Sequence, residues 1–363
     1  MANQKHTTQV LYSGLGGHGN VAFSLVENES NQLNNAFLFY GIEPVKSEYI
    51  NKCNQLNIPF DSILKQPGVD FKSFKKAYTI LKSLQSDVVL LHSITLIIPA
   101  VIFGFLNNKR IIAIEHNAND AKRKSEWLWS LLAMLFAYKV VYLTASYKSE
   151  VKEKLGVFFS NKKAVVIPNG LNTDLYAPTT KVTSDIIKLG MVSRMNVLRD
   201  HKTLVLSIKH LMQLLPNQKI KLYIAGNGDT YDETVALVKK EGLEEVITFT
   251  GMLNEDEILS LFKSLDIYVH ATLAETMSTS LMQALSCGLP IVSANIPGVR
   301  NLIEPDKTGI LIETKDEILL AKTLKNLIED KSKQKELSSS ARAFALNNLS
   351  NKVMFERYLK IIE

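Results

Sequence analysis

The 363-residue sequence contains only two cysteines, Cys53 and Cys287. Neither belongs to a CxxC pair or to a Cys/His cluster, so the sequence indicates no disulfide framework and no structural zinc site. The first nine residues are polar and lack the apolar core of a secretory signal. We therefore expect a protein of the reducing cytoplasm.

The sequence also lacks an uninterrupted apolar run long enough to cross a membrane without a polar residue. Val88–Leu106 and Trp127–Ala145 come nearest, but the first contains His92 and Pro99 and the second contains Lys139. Polar and charged groups are costly in a bilayer core. We predict that each stretch is a buried strand next to a buried helix, as in an α/β protein.

The excess of positive charge is confined to the first half of the chain. Lys and Arg total 42 against 36 Asp and Glu, and residues 1–170 hold 19 basic and 12 acidic side chains while residues 171–363 hold 23 and 24. This half is expected to face a phosphate-rich ligand or an anionic membrane, although a solvated lysine-rich face gives the same bias. The ordinary hydrophobic content of 46% argues against disorder.

Strand and helix patterns alternate along the whole chain, which is typical of parallel sheets. At about 150 residues per domain, the length favours two doubly wound domains, and the Pro-, Asn- and Gly-rich stretch Pro168–Pro178 predicts their junction. The predicted strands are Gln9–Ser13, Ala36–Tyr40, Val88–His92, Ile111–Glu115, Lys139–Thr144, Ala164–Ile167, Ile187–Val192, Lys221–Ala225, Val246–Phe249, Asp266–Val269 and Pro290–Ser293.

A glycine-rich loop, GLGGHG at Gly14–Gly19, follows the first predicted strand and precedes a helix. This spacing is found where backbone amides cradle the phosphates of a dinucleotide, which would suit a nicotinamide-dependent oxidoreductase. The acidic partner of that motif is poorly placed, because Glu43 comes late and stands before a proline. A tight turn that lets the helix pack on the sheet explains the glycines equally well.

A second candidate site lies between Gly251 and Pro290, where a strand, an acidic residue and a polar loop precede a helix. Unpaired amides at the start of that helix, Ser278–Ser280, can hold a diphosphate, and Glu275 can accept hydrogen bonds from hydroxyls. Upstream, Arg194 and Arg199 follow a strand end and could neutralise the same diphosphate. Taken singly, each residue is explained as readily by solvation or a structural ion pair.

The order of several segments resembles the retaining GT-B glycosyltransferases of glycosyltransferase family 4, the group-1 glycosyl transferases. The similar segments are GLGGHG, EHN at 115–117, IPNGLNTDLYAP, SRMNVLRDHKTL, IAGNGD, FTGML and ETMSTSLMQALSCGLPIV. The last resembles the family's pattern of Glu, seven residues and Glu. The resemblance covers nearly the whole chain, and it implies transfer of a sugar from a nucleotide sugar to an acceptor.

The resemblance also implies roles for individual residues. The residues implied as catalytic are His116, Glu275, Arg194 and Arg199. The residues implied to bind the donor are Gly16, Gly17, Asn169, Gly226, Gly251, Met252, Thr276, Met277, Ser278, Thr279, Ser280 and Gln283. His18 and His92 would face the acceptor. The family's transfer retains configuration at the anomeric carbon and needs neither a protein nucleophile nor a metal, and this sequence has no Asp-x-Asp spacing. We expect no metal site and no cofactor other than the nucleotide-sugar co-substrate.

Three positions depart from the family's pattern. Gln283 replaces the second glutamate, Arg199 replaces the usual lysine, and Asn301 stands where glutamate is common. Arginine keeps the charge and can bind phosphate through two hydrogen bonds. Glutamine keeps one acceptor oxygen, so we expect nucleotide binding weakened on the order of 1 kcal/mol. A degenerate, inactive homologue is the remaining alternative.

For architecture, the resemblance implies two tandem Rossmann-like domains with a donor cleft between them. They would comprise an acceptor domain at 1–168 and a donor domain at 169–345, with a C-terminal helix at 346–363 that packs back on the first. The acceptor is expected to be a surface glycan or a lipid-linked one, at the inner face of the plasma membrane, and nucleic acid is not expected as a partner.

A cluster of aromatic and basic residues is suited to an interface or to core packing. It consists of Trp127 and Trp129 beside Lys122, Arg123 and Lys124.

Overall fold

The computed structural model describes residues 5–14, 17–27, 33–116, 122–180 and 184–363. The chain divides into two compact units: unit 1 is Met1–Gly170 with Asn351–Glu363, and unit 2 is Leu171–Ser350. The sequence-based boundaries, after residues 168 and 345, fall two and five residues before these divisions. The two division points are neighbours in space, since the Leu171 amide donates to the Leu349 carbonyl at 2.8 Å.

Unit 1 is built on a seven-stranded parallel sheet with the order β3-β2-β1-β4-β5-β6-β7. Its strands are β1 (Lys5–Leu11), β2 (Leu33–Gly41), β3 (Phe60–Leu64), β4 (Val88–Leu91), β5 (Arg110–Glu115), β6 (Lys139–Tyr142) and β7 (Ala164–Val166). The α-helices between them are α1 (Gly17–Glu27), α2 (Ser47–Gln55), α3 (Phe71–Ser83), α4 (Ile97–Asn107), α5 (Lys124–Phe136) and α6 (Ala145–Leu155).

Both faces of this sheet are covered by helices, which explains why its central strand, β4, is apolar at every position. In β4, Val89 and Leu91 pack with α3, α4 and α5, whereas Val88 and Leu90 pack on the opposite face with α1. The apolar stretch at 88–106 therefore consists of strand β4 and helix α4, as predicted. The strand is buried, but α4 is buried on one side only, because Ile102 and Phe105 are exposed. Among the described helices, none combines the length and the hydropathy needed to cross a membrane.

Unit 2 has a six-stranded parallel sheet with the order β10-β9-β8-β11-β12-β13. Its strands are β8 (Ile186–Val192), β9 (Lys219–Ala225), β10 (Ile247–Gly251), β11 (Ile267–His270), β12 (Ile291–Ala294) and β13 (Ile310–Ile312). Its helices are α7 (His201–Leu214), α8 (Tyr231–Lys240), α9 (Glu255–Ser264), α10 (Thr279–Ser286), α11 (Pro297–Arg300), α12 (Glu317–Glu329) and α13 (Lys331–Asn348).

The last helix, α14 (Asn351–Ile362), belongs to unit 1. Met354, Tyr358 and Ile362 recur at four-residue spacing, as the sequence shows, and all three are buried against Val21 and Leu25 of α1. The amphipathic pattern of this segment thus packs it on the sheet face that α1 covers.

Candidate functional site

The loops that follow the strands of unit 2 meet at one edge of its sheet, because the carboxyl ends of parallel strands lie together. The Gly226 amide donates to the Gly251 carbonyl at 2.8 Å, which joins the loops after β9 and β10. The Leu273 amide donates to the Leu198 carbonyl at 2.9 Å, which joins the loops after β11 and β8. The predicted donor-site residues of unit 2 lie in these loops or in the first two turns of α10.

Two glycines allow these loops to approach one another closely. Gly228 has φ +153°, and a Cβ there would lie 2.2 Å from the Met195 carbonyl oxygen. A Cβ on Gly298, at the start of α11, would lie 1.7 Å from the Glu275 carbonyl oxygen. A side chain at Gly298 would therefore displace the backbone of Glu275.

The Glu275 carboxylate is the centre of the candidate site. Its Oε2 lies 3.1 Å from Arg199 Nη2 and 3.6 Å from His270 Nε2, and its Oε1 accepts from the Thr276 amide at 3.0 Å. Its side chain is 10% exposed. Burial alone would raise the pKa of Glu275, but the neighbouring His270 ring and the Arg199 charge outweigh it and lower the pKa, so the group is a carboxylate at neutral pH.

Arg199 binds the same loop at two further points. Its Nη1 donates to the Thr272 hydroxyl at 2.8 Å and to the Ala274 carbonyl at 2.5 Å. The guanidinium thus spans the loop between β11 and α10 and fixes the position of Glu275. Sequence reasoning assigned Arg199 to the diphosphate, whereas the structure brings it directly against the Glu275 carboxylate.

Helix α10 begins beside this carboxylate. Ser278 caps the helix by accepting from the Leu281 amide at 3.3 Å, and the Tyr268 hydroxyl donates to Ser280 Oγ at 2.9 Å. The amides of Thr279 and Ser280 come before the first intrahelical hydrogen bond, so they are available to an anion. The arrangement offers positive potential next to the Glu275 carboxylate.

The other predicted residues of unit 2 differ in accessibility. Arg194 is exposed, and no described residue pairs with its guanidinium, while Met252 is 76% exposed beside Gly251. Gln283 donates from Nε2 to the Tyr176 hydroxyl at 2.8 Å. The amide nitrogen of Gln283 is therefore used inside unit 2, which leaves its oxygen as the group available to ribose hydroxyls.

A separate cluster of three histidines lies in unit 1. His18, His92 and His116 line a cavity of about 200 Å³, together with Tyr12, Ser93, Ile94, Thr95, Ile114, Glu115, Glu126 and Trp129. The rings of His92 and His116 are stacked with centroids 5.3 Å apart. The structure thus brings together the two residues assigned to the acceptor and the one assigned to the donor sugar.

Hydrogen bonds define the tautomers in this cluster. Gln9 Oε1 accepts from His92 Nε2 at 2.7 Å, so Nδ1 of a neutral His92 is an acceptor. His116 Nε2 lies 3.1 Å from that Nδ1 and must donate to it. Gln9 and His92 together orient the His116 ring and make its Nδ1 the acceptor.

The rings are neutral at pH 7. Burial lowers the pKa of His116 to about 3, with repulsion from His18 as a second cause. Burial also lowers the pKa of His92 well below 6.5 and lowers that of His18. Neutral imidazoles donate and accept hydrogen bonds without repelling one another, which suits binding of a hydroxylated ligand.

We expect these histidines to make the folded chain sensitive to acid. Below pH 6.5, His92 and His116 take up protons in the unfolded chain but not in the folded chain. The free energy of unfolding therefore decreases as the pH is lowered, on the order of 1 kcal/mol per ring at about one pH unit below 6.5. Urea unfolding at neutral pH and at that lower pH measures the loss. The double variant His92→Asn/His116→Asn should lose less stability on acidification, and an equal loss would contradict the assignment of neutral rings.

Two family models match the chain and together cover most of it. Residues 186–344 match the glycosyl transferases group 1, and residues 15–175 match Glycosyltransferase Family 4. The chain belongs to the family 4, group 1 glycosyltransferases.

Relatives of this glycosyltransferase include proteins of Methanocaldococcus jannaschii and Schizosaccharomyces pombe. It is 24% identical over 317 residues to the uncharacterised glycosyltransferase MJ1069 of Methanocaldococcus jannaschii, covering 82% of this chain and 80% of that protein. It is 27% identical over 170 residues to the phosphatidylinositol N-acetylglucosaminyltransferase gpi3 subunit of Schizosaccharomyces pombe. That match covers 47% of this chain and 36% of the relative.

Solved structures share the fold of the glycosyltransferase along its whole length. Anabaena HepE in complex with UDP has a TM-score of 0.82 at 18% identity, covering 98% of this chain and 99% of that one. A glycosyltransferase from Rickettsia africae has a TM-score of 0.83 at 18% identity, covering 99% and 98%. The predicted GT-B fold, with two Rossmann-like domains, is confirmed.

In the glycine-rich segment of this glycosyltransferase, the described residue Gly19 allows two helices to pack closely. A Cβ on Gly19 in α1 would lie 2.1 Å from the Tyr49 hydroxyl, so glycine lets α1 approach α2. Gly17 begins α1, whereas Gly16 lies outside the described residues. Glu43, the acidic residue that the oxidoreductase alternative requires, accepts from the Tyr12 hydroxyl at 2.9 Å and pairs with Lys46 at 3.0 Å.

For the cluster of Trp127, Trp129 and Lys122, the sequence left an interface and core packing open, and at Lys122 the structure shows core packing. The Lys122 ammonium is fully buried, 2.8 Å from Glu115 Oε2 and 3.0 Å from Ser130 Oγ, and it lies over the Trp127 ring at 4.7 Å. The core of unit 1 thus encloses an ion pair next to His116. Arg123 and Lys124 are exposed, and both tryptophans are half-buried.

Sequence reasoning missed several residues that contact predicted site residues, and His270 and Gln9 are two of them. His270 ends strand β11 behind Glu275, and Gln9 is buried in β1 beside His92. A polar residue at a strand end, or inside an otherwise apolar strand, is the signal that could have found them. Asn169 lies in unit 1 at the chain's passage to unit 2.

Two further features of the glycosyltransferase bear on where ligands can bind. A cavity of about 330 Å³ is lined by Asp266 and Pro290, which precede β11 and β12, so it lies at the sheet edge opposite Glu275. Within the described ranges, no group of three or more His, Cys, Asp or Glu side chains is arranged to hold a metal ion.

Proposed function

We propose that this glycosyltransferase transfers a hexose or an N-acetylhexosamine from a UDP-sugar, with retention of configuration and without a metal. The acceptor is a glycan or a lipid-linked glycan of a bacterial surface polysaccharide, at the cytoplasmic face of the membrane. The observation that carries the proposal is the charged Glu275 carboxylate, held by Arg199 immediately before the open amides of α10.

The choice of UDP is supported by relatives of the same fold. Anabaena HepE is described in complex with UDP, with UDP and glucose, and with UDP-glucose. The lipopolysaccharide outer core galactosyltransferase WaaB shares the fold with a TM-score of 0.75 at 16% identity. A uridine diphosphate has two phosphates, which suits the amides of Thr279 and Ser280 together with Arg194.

The proposed chemistry follows from the charges at the edge of the unit 2 sheet where Glu275 lies. The bond between the anomeric carbon and the β-phosphate oxygen breaks while the acceptor oxygen bonds to that carbon on the same face, and the acceptor proton passes to the departing phosphate. The α10 amides and Arg194 stabilise the negative charge that develops on this leaving group. Glu275, acting as an acceptor, binds hydroxyls of the donor sugar and holds its anomeric carbon in place.

The neutral histidine cavity supports a hydroxyl-rich ligand in unit 1. Its three imidazoles, with Ser93 and Thr95, provide both donors and acceptors without a net positive charge. We propose that His116 contacts the donor sugar and that His18 and His92 lie on the acceptor side.

Calorimetric titration with UDP, UMP and NAD tests the nucleotide assignment. We expect UDP to bind more tightly than UMP, and Arg194→Ala to weaken UDP binding about 10- to 100-fold, the value of one or two charged hydrogen bonds to phosphate. Lys239→Ala, an exposed charge at the end of α8, is the matched control and should change nothing. Binding of NAD in place of UDP would overturn the proposal.

A transfer assay with a panel of UDP- and GDP-sugars separates an active enzyme from a degenerate homologue. Slow hydrolysis of one UDP-sugar identifies the donor without knowledge of the acceptor. If UDP binds but no donor is hydrolysed or transferred with any glycan tested, the result favours the degenerate homologue. Gln283→Glu should tighten UDP binding on the order of 1 kcal/mol.

A further inference from the structure

One face of unit 1 exposes apolar side chains in an arrangement that the transfer reaction does not use. On α4, Ile98, Ile102, Phe105 and Leu106 point outward, and on α5, Leu135 and Phe136 do the same. We define these six residues as the α4–α5 surface. Phe105 is 86% exposed, which is a large unburied area for an aromatic side chain.

The spacing on α4 shows two apolar faces on one helix. The outward residues recur at intervals of four, three and one, while Ile97, Ala100 and Phe103 fill the core on the opposite side. The helix contains no charged residue along its eleven positions. An exposed helix in a protein surrounded only by water normally has a polar outer stripe, so the outer face of α4 is adapted to an apolar environment.

The apolar area continues beyond α5. Helices α4 and α5 both pack on the sheet face that contains Val89 and Leu91, so their outer sides face the same way. The 3-10 helix Gly156–Phe158 contacts α5 and adds Val157, 95% exposed, and Phe158, 57% exposed. These side chains extend the α4–α5 surface at its edge.

Basic groups border this surface. Lys163 Nζ donates to the Leu135 carbonyl at 2.6 Å, and Lys154 Nζ lies 5.7 Å from the Trp127 ring centre. Residues 94–163 contain eleven Lys and Arg and five Asp and Glu, so the excess of six equals the net charge of the whole chain. The positive charge is thus concentrated in the segment that presents the apolar side chains, with Glu150 and Glu153 of α6 as exposed acidic exceptions.

We propose that the α4–α5 surface docks on an anionic lipid bilayer. Apolar side chains enter the boundary between headgroups and acyl chains while the lysines around them contact anionic headgroups. A second copy of this chain is a poorer occupant, because an isologous contact would bring two surfaces of the same positive sign together. The docking is separate from the transfer reaction and can be measured without activity.

Co-sedimentation with lipid vesicles tests the docking. The full chain should bind vesicles of phosphatidylcholine mixed with phosphatidylglycerol, should bind pure phosphatidylcholine at least tenfold more weakly, and should dissociate as salt is added. Phe105→Ser/Phe136→Ser should lower binding to the anionic vesicles at least tenfold. Lys154 and Lys162, which precedes Lys163, are both exposed, and Lys154→Glu/Lys162→Glu should lower binding through charge alone.

Controls keep this test independent of folding and of the proposed reaction. Ile318→Ser removes an apolar side chain of 50% exposure from α12 in unit 2 and should leave vesicle binding unchanged. Unaltered thermal melting shows that each variant is folded. Equal binding to neutral and anionic vesicles, or binding unaffected by both double variants, overturns the proposal. So does a dimer in sedimentation that Phe105→Ser/Phe136→Ser converts to a monomer.

Discussion

Glu275→Gln is expected to lower the rate of sugar transfer about 10²- to 10³-fold, the effect of removing a preorganised charged group from a reaction centre. Glutamine keeps the shape of the side chain but loses the charge that pairs with Arg199 at 3.1 Å. Because the α10 amides and Arg194 are untouched, UDP affinity should stay within about threefold. Initial-rate kinetics with the donor identified by hydrolysis, together with calorimetry, measure the two quantities.

The matched control for this variant is Glu244→Gln, an exposed carboxylate between α8 and β10. It removes the same charge from unit 2 at a distance from the candidate site and should leave both transfer and UDP binding unchanged. If Glu275→Gln retains transfer within about twofold of the wild type, the assignment of the carboxylate fails even though the family assignment stands. Loss of UDP binding in parallel with transfer would instead place Glu275 at the nucleotide.

Lys122→Met is expected to destabilise the chain by about 3–5 kcal/mol, the usual cost of leaving one partner of a buried ion pair alone. The side chains of Lys122 and Glu115 are 0% and 1% exposed, and no described residue forms a hydrogen bond with Glu115 Oε1. Of its described partners, Glu115 would keep only the Tyr147 hydroxyl, at 3.3 Å, without the ammonium. Denaturant unfolding of unit 1, followed by its tryptophan fluorescence, measures the loss.

The double variant Glu115→Leu/Lys122→Met should recover most of that stability, because replacing both charges with apolar groups removes the desolvation cost as well as the attraction. Lys124→Ala, an exposed residue two positions along, should change stability by less than about 0.5 kcal/mol. A double variant as unstable as the single one would show that the two charges do not act as a pair.

The sequence predicted eleven strands, and each of them lies within a few residues of an observed one. The two strands it missed are β3 and β13. In β3 only Ile63 is buried among the five residues FDSIL, and β13 has three residues; both are edge strands. Edge strands bury less side-chain area, so their residue pattern is weak.

The position of the first strand also differs between the prediction and the structure. It was predicted at Gln9–Ser13 and is observed at Lys5–Leu11, because Thr7 and Thr8 are buried between β2 and β4. Polar residues that are buried in a sheet do not produce an apolar pattern, so periodicity places the strand too late.

The candidate site was predictable where one segment contains both the functional group and the structure that presents it. Glu275, the Ser278 cap and the start of α10 lie within a few residues of one another, and the sequence pattern placed them correctly. The contact between Arg199 and Glu275 joins positions 76 residues apart, and that between Gln283 and Tyr176 joins positions 107 apart. Local pattern does not determine such pairings.

The sequence by itself determined the two α/β domains, their junction, the family and the positions of the charged residues. Strand and helix periodicity and segment order are local properties, and short apolar strands that alternate with amphipathic helices can be read from the sequence. Only the tertiary structure decided that Lys122 is a buried partner of Glu115 and that Gln9 orients His116 through His92. Those outcomes depend on which side chains the folded sheets bring within a few ångströms, and residue type alone does not distinguish a lysine in the core from one at the surface.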